Sequence, residues 1–161
     1  MPEPDIAVTA FGLGPLDPDS VDAVARRLAA IDPWLRMGFS ANGLAGYLTR
    51  DDPAAMRVSL EWNGEMAGVA VMRRPWLRGP YLEMLCVFPE ASGLGIGSRF
   101  LSWFEAHARE RNERNLWVAV SDFNLSAIRF YERAGFVQAV ALPGLVGDAF
   151  TELLLRKQLT P

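Results

Sequence analysis

Tyr81-Leu82-Glu83-Met84-Leu85-Cys86-Val87-Phe88-Pro89-Glu90-Ala91-Ser92-Gly93-Leu94-Gly95-Ile96-Gly97 is the stretch whose reading decides the fold. Its first eight residues are apolar except for Glu83, the pattern of a strand buried on both faces. Glycine then falls at every second position, at 93, 95 and 97, ahead of Phe100, Leu101, Phe104 and Ala108 at helical spacing. The order predicts strand, tight glycine turn and helix. Glycine lets a backbone approach a ligand closely. The first N–H groups of the following helix lack helical partners and sit at the positive end of its dipole. Such a turn suits phosphate or pyrophosphate, although a tight strand-to-helix corner uses glycine for geometry as well. No Gly-Lys-Ser/Thr follows, which excludes a Walker-type loop. The G-x-G-x-G spacing in mid-chain is also a poor dinucleotide fingerprint.

Toward the N-terminus, residues 6–11 read as a short first strand and Gly12 to Pro18 as a turn-rich connection. Asp17 before Pro18 has the form of a helix cap. Val21, Val24, Ala25, Leu28 and Ile31 recur at helical spacing, and Asp32-Pro33 ends that helix. A second helix is expected from Ser40, with Leu44, Tyr47 and Leu48 on one face. Met56, Val58, Leu60 and Trp62 alternate as in a half-buried strand. Asn63-Gly64 is a two-residue hairpin turn, and Met66 to Met72 is the partner strand. Toward the C-terminus come a strand at Leu116 to Val120 and a helix from Asn124 to Ala134 ended by Gly135. Phe136 to Leu142 and Phe150 to Leu155 are the last two strands. The order βααβββαβαββ predicts a mixed α/β domain of the α+β type, its mostly antiparallel central sheet flanked by helices. No repeat, low-complexity tract or linker divides the 161 residues, so one domain over 1–161 is expected.

Composition narrows the function classes. Apolar residues make up 50%, which excludes wholesale disorder. No apolar run reaches the roughly 18–20 residues of a membrane helix. Met1 to Thr9 carries acids and prolines but no basic residue, so no signal peptide and a cytoplasmic location are expected. Cys86 is the one cysteine and His107 the one histidine; a disulfide within the chain and a Cys- or His-rich metal site are excluded, and no metal is expected. A net charge of −3 and a pI near 5.2 give no broad basic face for nucleic acid.

A second motif follows the glycine turn: Asn124-x-x-Ala127-x-x-x-Tyr131-Glu132-Arg133-x-Gly135-Phe136. With Val87-Phe88-Pro89-Glu90 and the glycine turn, it resembles the GNAT superfamily of acetyl-CoA-dependent N-acetyltransferases over most of the chain. The resemblance implies that Leu85, Cys86 and Val87 border the pantetheine arm through main-chain groups. It implies that Ser92, Gly93, Leu94, Gly95, Ile96, Gly97 and Ser98 form the pyrophosphate loop. It gives Asn124 a cofactor contact and sets Tyr131 against the sulfur. Two departures stand out. Ser92 replaces the family's glutamine or arginine, leaving the phosphate to backbone N–H groups with Arg99 in support. Ala119 occupies the position of a catalytic glutamate in some relatives.

The implied reaction moves an acetyl group from acetyl-CoA to a primary amine of a small molecule or a protein. At pH 7 only about one lysine-type amine in a few thousand is unprotonated, so a base helps. Glu83, the one charge in its apolar run, is the first candidate. Alternation sets it on the side of Leu85 and Val87, and burial there would raise its pKa toward neutrality. An arginine-paired or solvent-facing strand glutamate is the competing reading. Glu90 and Asp122 rank behind it in loops. Tyr131 is the expected proton donor to the CoA thiolate, with core packing as the alternative. Cys86 reads as a small buried core residue and His107 as the border of a helix face. Trp34, Phe39, Tyr47 and Trp76 are the candidate acceptor-pocket residues. A non-catalytic acyl-CoA-binding sensor or interaction module is the alternative function, and a nucleotide-phosphate binder a third. The resemblance also makes a homodimer a candidate assembly, since many relatives pair through late strands, although the sequence shows no specific interface for one.

Overall fold

The computed structural model describes residues 10–161. Its sheet has seven strands: β1 (Phe11–Pro15), β2 (Ala55–Trp62), β3 (Glu65–Arg73), β4 (Tyr81–Val87), β5 (Asn115–Ser121), β6 (Val137–Pro143) and β7 (Thr151–Gln158). The helices are α1 (Val21–Ala29), α2 (Ala41–Thr49), α3 (Ile96–Glu110) and α4 (Leu125–Arg133). The spatial order is β1-β2-β3-β4-β5-β7-β6, antiparallel everywhere except between β4 and β5. The expected order of elements and the mostly antiparallel sheet are both observed.

Local chemistry accounts for the element boundaries. Ser40 Oγ accepts from the Gly43 N–H at 3.0 Å and starts α2. Asn124 Oδ1 accepts from the Ala127 N–H at 3.3 Å and starts α4. Each such cap is worth about 1 kcal/mol. Asn63 and Gly64 both have positive φ (53° and 78°), the twist a two-residue hairpin turn requires.

The first strand is a correction. It runs from Phe11 to Pro15, through residues read as a turn, and residues 6–9 of the expected strand lie outside the described residues. Gly12 pairs with Glu61 and Gly14 with Ser59 of β2. Both glycines are therefore paired strand residues rather than a bend, and the nearest atom to a Cβ on Gly14 would be Glu61 Oε1, a mobile side-chain end, at 3.0 Å.

The two faces of the sheet carry two cores. Leu60, Met72, Leu82, Phe100, Phe104 and Phe136 pack under α3 and α4. Val69, Val71, Met84, Cys86 and Phe88 pack under α1 and α2 with Val24, Leu28 and Leu48. Phe88, Phe100 and Phe104 are fully buried, each contributing about 1.5–3 kcal/mol.

β4 is not buried on both faces as its sequence predicts. Leu82, Met84 and Cys86 are buried, whereas Glu83, Leu85 and Val87 are only partly covered. Covering is incomplete because β4 and β5 pair only at Tyr81–Trp117 and Leu82–Val118 and then diverge. A register shift against β3, where Val71 faces Met84 but Met72 faces Leu82, makes Glu83 the extra residue of a bulge.

Candidate active site

The gap between the diverging strands organises the site. The Phe88 N–H donates to the Ala67 carbonyl on β3 at 2.8 Å. Alternation then turns the main-chain groups of Cys86 toward β3 and those of Leu85 and Val87 into the gap. Cys86 therefore offers the gap neither its backbone nor its side chain, which is 5% exposed in the α1–α2 core. Burial pushes its thiol up to about 12, the behaviour of an inert core cysteine.

The glycine turn closes one end of the gap. Gly93 and Gly95 both adopt φ of 79°, a conformation that side chains other than glycine rarely take. Gly95 is the N-cap of α3 and supplies no side-chain cap. The first bond into the helix runs from the Arg99 N–H to the Gly95 carbonyl at 3.0 Å. The N–H groups of Ile96, Gly97 and Ser98 thus have no backbone partner among the described residues. A hollow of about 430 Å3 lies over them, bordered by Leu85, Val87, Gly93, Gly95, Tyr131 and Arg133. Free N–H groups, a positive helix end and a guanidinium suit the phosphates of CoA.

Three residues of the loop reading stand apart from this hollow. Ser92 Oγ donates to the Pro89 carbonyl at 2.8 Å, so its hydroxyl is spent inside its own turn. Leu94 is 45% exposed, and neither residue borders the hollow. Arg99 lies outside it as well, its guanidinium 5.8 Å from the Trp62 ring centroid. The basic side chain at the hollow is Arg133. Its sequence signal was its place in the second motif, where no role was attached to it.

A second cavity, of about 540 Å3, opens on the other side of Tyr131. Trp34 and Phe39 border it from the α1–α2 connection and Tyr47 from α2; Glu83, Leu85, Asn124 and Glu152 border it from the sheet side. Ala119, in the position of some relatives' glutamate, also faces it. Trp76 does not. It stacks on Tyr81 at 4.7 Å between ring centroids and borders a separate hollow beside Arg78 and Arg114.

Tyr131 borders both cavities. Its ring meets Phe130 and Phe136 edge-on, with centroids 5.2 and 5.6 Å away. Its hydroxyl makes no hydrogen bond to any described residue, and it is not sealed from the cavities. Burial, with Tyr81 adding to it, holds the phenol above its ordinary range and therefore protonated. Packing of the ring and a free hydroxyl coexist in this residue.

Glu83 occupies a different setting from the one expected. Leu82, Leu85 and Val87 belong to one core and Met84 and Cys86 to the other, so the bulge breaks alternation at Glu83. Its carboxylate leaves the side of Leu85 and Val87 for α2. It accepts from Tyr47 Oη at 2.9 Å and from Arg73 Nε and Nη2, both at 3.2 Å. Arg73 also donates to Asp52 at 2.9 Å. Asp52 first and Glu83 second hold the Arg73 guanidinium above its ordinary value. Three of about four carboxylate acceptor positions are taken at Glu83, leaving one.

Glu152 is the residue the sequence reading missed. It is the one charge in Thr151-Glu152-Leu153-Leu154-Leu155, the same signal that singled out Glu83. It is 7% exposed at the start of β7. Ser121 Oγ, at the end of β5, donates to Oε1 at 2.5 Å. Among the other candidates, Glu90 pairs with Arg27 away from the cavity, and His107 stacks on Trp103 at 5.0 Å.

Comparison with known proteins extends this geometry. Residues 25–136 match the model of the acetyltransferase (GNAT) family. The streptothricin acetyltransferase of Streptomyces lavendulae is 32% identical over 120 residues, 71% of this chain and 64% of that protein. The chain thus matches less than two thirds of that relative's length. The blasticidin-S acetyltransferase of Streptomyces morookaense is 31% identical over 94 residues, 58% of this chain and 68% of that protein. A GNAT family acetyltransferase from Elizabethkingia anophelis, solved with acetyl-CoA bound, superposes with a TM-score of 0.70 at 17% identity, covering 93% of this chain and 99% of that one. Because the family model spans more than half of the residues, this chain belongs to the GNAT family of acetyltransferases.

Proposed function

We propose that this protein transfers the acetyl group of acetyl-CoA to a primary amine of a small molecule by direct attack. The observation that carries the reading is the free, buried hydroxyl of Tyr131 at the meeting of the two cavities. The glycine-turn hollow takes the pyrophosphate on the N–H groups of Ile96, Gly97 and Ser98, with Arg133 beside it. Leu85 and Val87 offer main-chain groups to the pantetheine arm and the acetyl carbonyl. Asn124 already uses Oδ1 to cap α4, so its amide nitrogen is the group left for the cofactor.

On the acceptor side, the amine enters between Trp34, Phe39 and Tyr47. Glu83 uses its remaining acceptor position to take the ammonium proton, directly or through water. The amine nitrogen attacks the thioester carbonyl, the C–N bond forms and the C–S bond breaks. Tyr131 gives its proton to the departing thiolate, and the surplus proton on the new amide nitrogen passes through water to replace the one Tyr131 has lost. A small-molecule acceptor is supported by the partly enclosed cavity and by two relatives whose names identify antibiotics as their substrates.

Calorimetric titration with acetyl-CoA, with ATP and NADH as controls, tests the donor half. A panel of amines that includes streptothricin and blasticidin S, followed by thiol release, tests the acceptor half. Selective one-site binding with turnover is expected. Failure to bind acetyl-CoA overturns the proposal. Binding without turnover on any amine replaces the enzyme with an acyl-CoA-binding sensor.

A further inference from the structure

The two carboxylates of the acceptor cavity are not equivalent. Glu83 is paired with Arg73, a guanidinium that it shares with Asp52. Glu152, more than nine-tenths buried, takes part in no ion pair among the described residues. Its one hydrogen bond comes from the neutral Ser121 hydroxyl. The other oxygen, Oε2, has no hydrogen-bond partner among the described residues and is not sealed in, so it faces the cavity that Glu152 borders.

Arg50, at the end of α2, borders the same cavity, but among the described residues no cation pairs with Glu152. Ser121 stands on β5 and Asp122 follows it; Tyr81 approaches from β4; Leu142 is its partner on β6. Met37 Sδ lies 3.6 Å from the same Ser121 hydroxyl. The charged neighbour in this group, Asp122, has the same sign. A buried anion without a counterion is costly, and natural interiors normally pair such a group. Burial first and Asp122 second raise the Glu152 carboxyl above its ordinary range, against the pull of Ser121. A cation delivered by a ligand reverses that penalty.

We infer that Glu152 is the acceptor-recognising carboxylate of the cavity, and that it binds a second cationic group on the acceptor, apart from the amine that is acetylated. The substrates are then small dications, diamines or aminoguanidines, rather than simple monoamines. The bulge and Arg73 hold Glu83 on β4, while Ser121 holds Glu152 on β7, so the two carboxylates address two different nitrogen atoms of one ligand. The inference rests on the acceptor side of the proposed function.

The test compares diaminobutane with butylamine, a probe pair that differs by one ammonium group. Each is titrated calorimetrically into the protein saturated with CoA, and each is assayed for thiol release with acetyl-CoA. Wild type is expected to bind the diamine at least about tenfold more tightly, the scale of a lost charge partner. In Glu152→Gln that preference falls to near unity through the diamine Kd and KM, while the acetyl-CoA Kd stays unchanged. Equal binding of the two amines by wild type, or a preference that survives Glu152→Gln, overturns the inference. If Glu152→Gln does not fold, Ser121→Ala is expected to weaken diamine binding several-fold; an unchanged Kd in that variant overturns the inference equally. Diamine binding lost in Glu152→Gln without turnover by wild type retains this inference and overturns the acetyltransferase reading. Turnover indifferent to the second ammonium does the reverse.

Discussion

Glu83→Gln separates catalysis from structure at this site. The substitution keeps the shape of the side chain and removes its charge. Of the three hydrogen bonds that Glu83 accepts, the single amide oxygen of glutamine can keep the Tyr47 bond at 2.9 Å and the Arg73 Nη2 bond at 3.2 Å. The amide nitrogen then points a donor at Arg73 Nε, itself a donor. The partners are about one quarter exposed, 26% for Arg73 and 23% for Glu83, between the surface and buried regimes. Arg73 retains Asp52. We expect a stability loss of about 1–2 kcal/mol, below that of a fully broken buried pair. For a chain of this length that is a fall of roughly 2–8 °C in Tm. Loss of a general base costs about 100- to 10,000-fold in rate, or roughly 2.7–5.5 kcal/mol of barrier. The expected result is a kcat at least about 100-fold down and a flattened pH profile. The acetyl-CoA Kd should be unchanged and the fold intact at assay temperature. Stopped assays of thiol release, calorimetry and a thermal melt read the three quantities. Near-normal kcat with the modest Tm loss would remove Glu83 from the chemistry and leave it as the clamp of Arg73 and Tyr47.

Tyr131→Phe keeps the edge-on packing against Phe130 and Phe136 and deletes only the free hydroxyl, so turnover should fall about 100-fold with an unchanged melt; unchanged turnover would reduce Tyr131 to packing. Arg133→Ala should weaken acetyl-CoA by roughly 10- to 100-fold, the scale of a charged hydrogen bond, and reduce the salt dependence of binding, whereas Arg99→Ala should leave both unchanged. Equal effects in a calorimetric comparison would refute that assignment. The raised Glu152 carboxyl means that the folded chain holds a proton which the unfolded chain has released above about pH 4.3. Its contribution to stability is complete below that value and is lost as pH rises through the raised one. Urea midpoints of Glu152→Gln should therefore gain on wild type as pH rises, and parallel curves would contradict the burial of this charge.

Much of the architecture was legible because its causes are local. Ser40 and Asn124 announce helices because a side-chain oxygen three residues from an N–H caps it wherever the chain lies. Asn63-Gly64 announces a hairpin because its positive φ values are intrinsic to those residues. The glycine turn before α3 was legible for the same reason. Gly12 and Gly14 misled because their role depends on Ser59 and Glu61, more than forty residues away. Trp76 misled because its ring found Tyr81 across a connection whose path no periodicity describes.

By itself the sequence determined the order of elements, the antiparallel character of the sheet, the phosphate-ready turn and the family. The elements and the turn follow from residue type at spacings of a few positions, where backbone geometry sets the contact, and the family from the resemblance that two motifs carry. Tertiary structure alone decided which carboxylate is free. Glu83 and Glu152 carry the same signal, one acid in an apolar strand, and nothing nearby in sequence distinguishes them. A one-residue bulge brings Glu83 to Arg73 and Tyr47, while the pairing of β5 with β7 brings Glu152 only to Ser121. The charge state and reach of a buried acid depend on its counterion, and strand register, set by partners far along the chain, chooses that counterion.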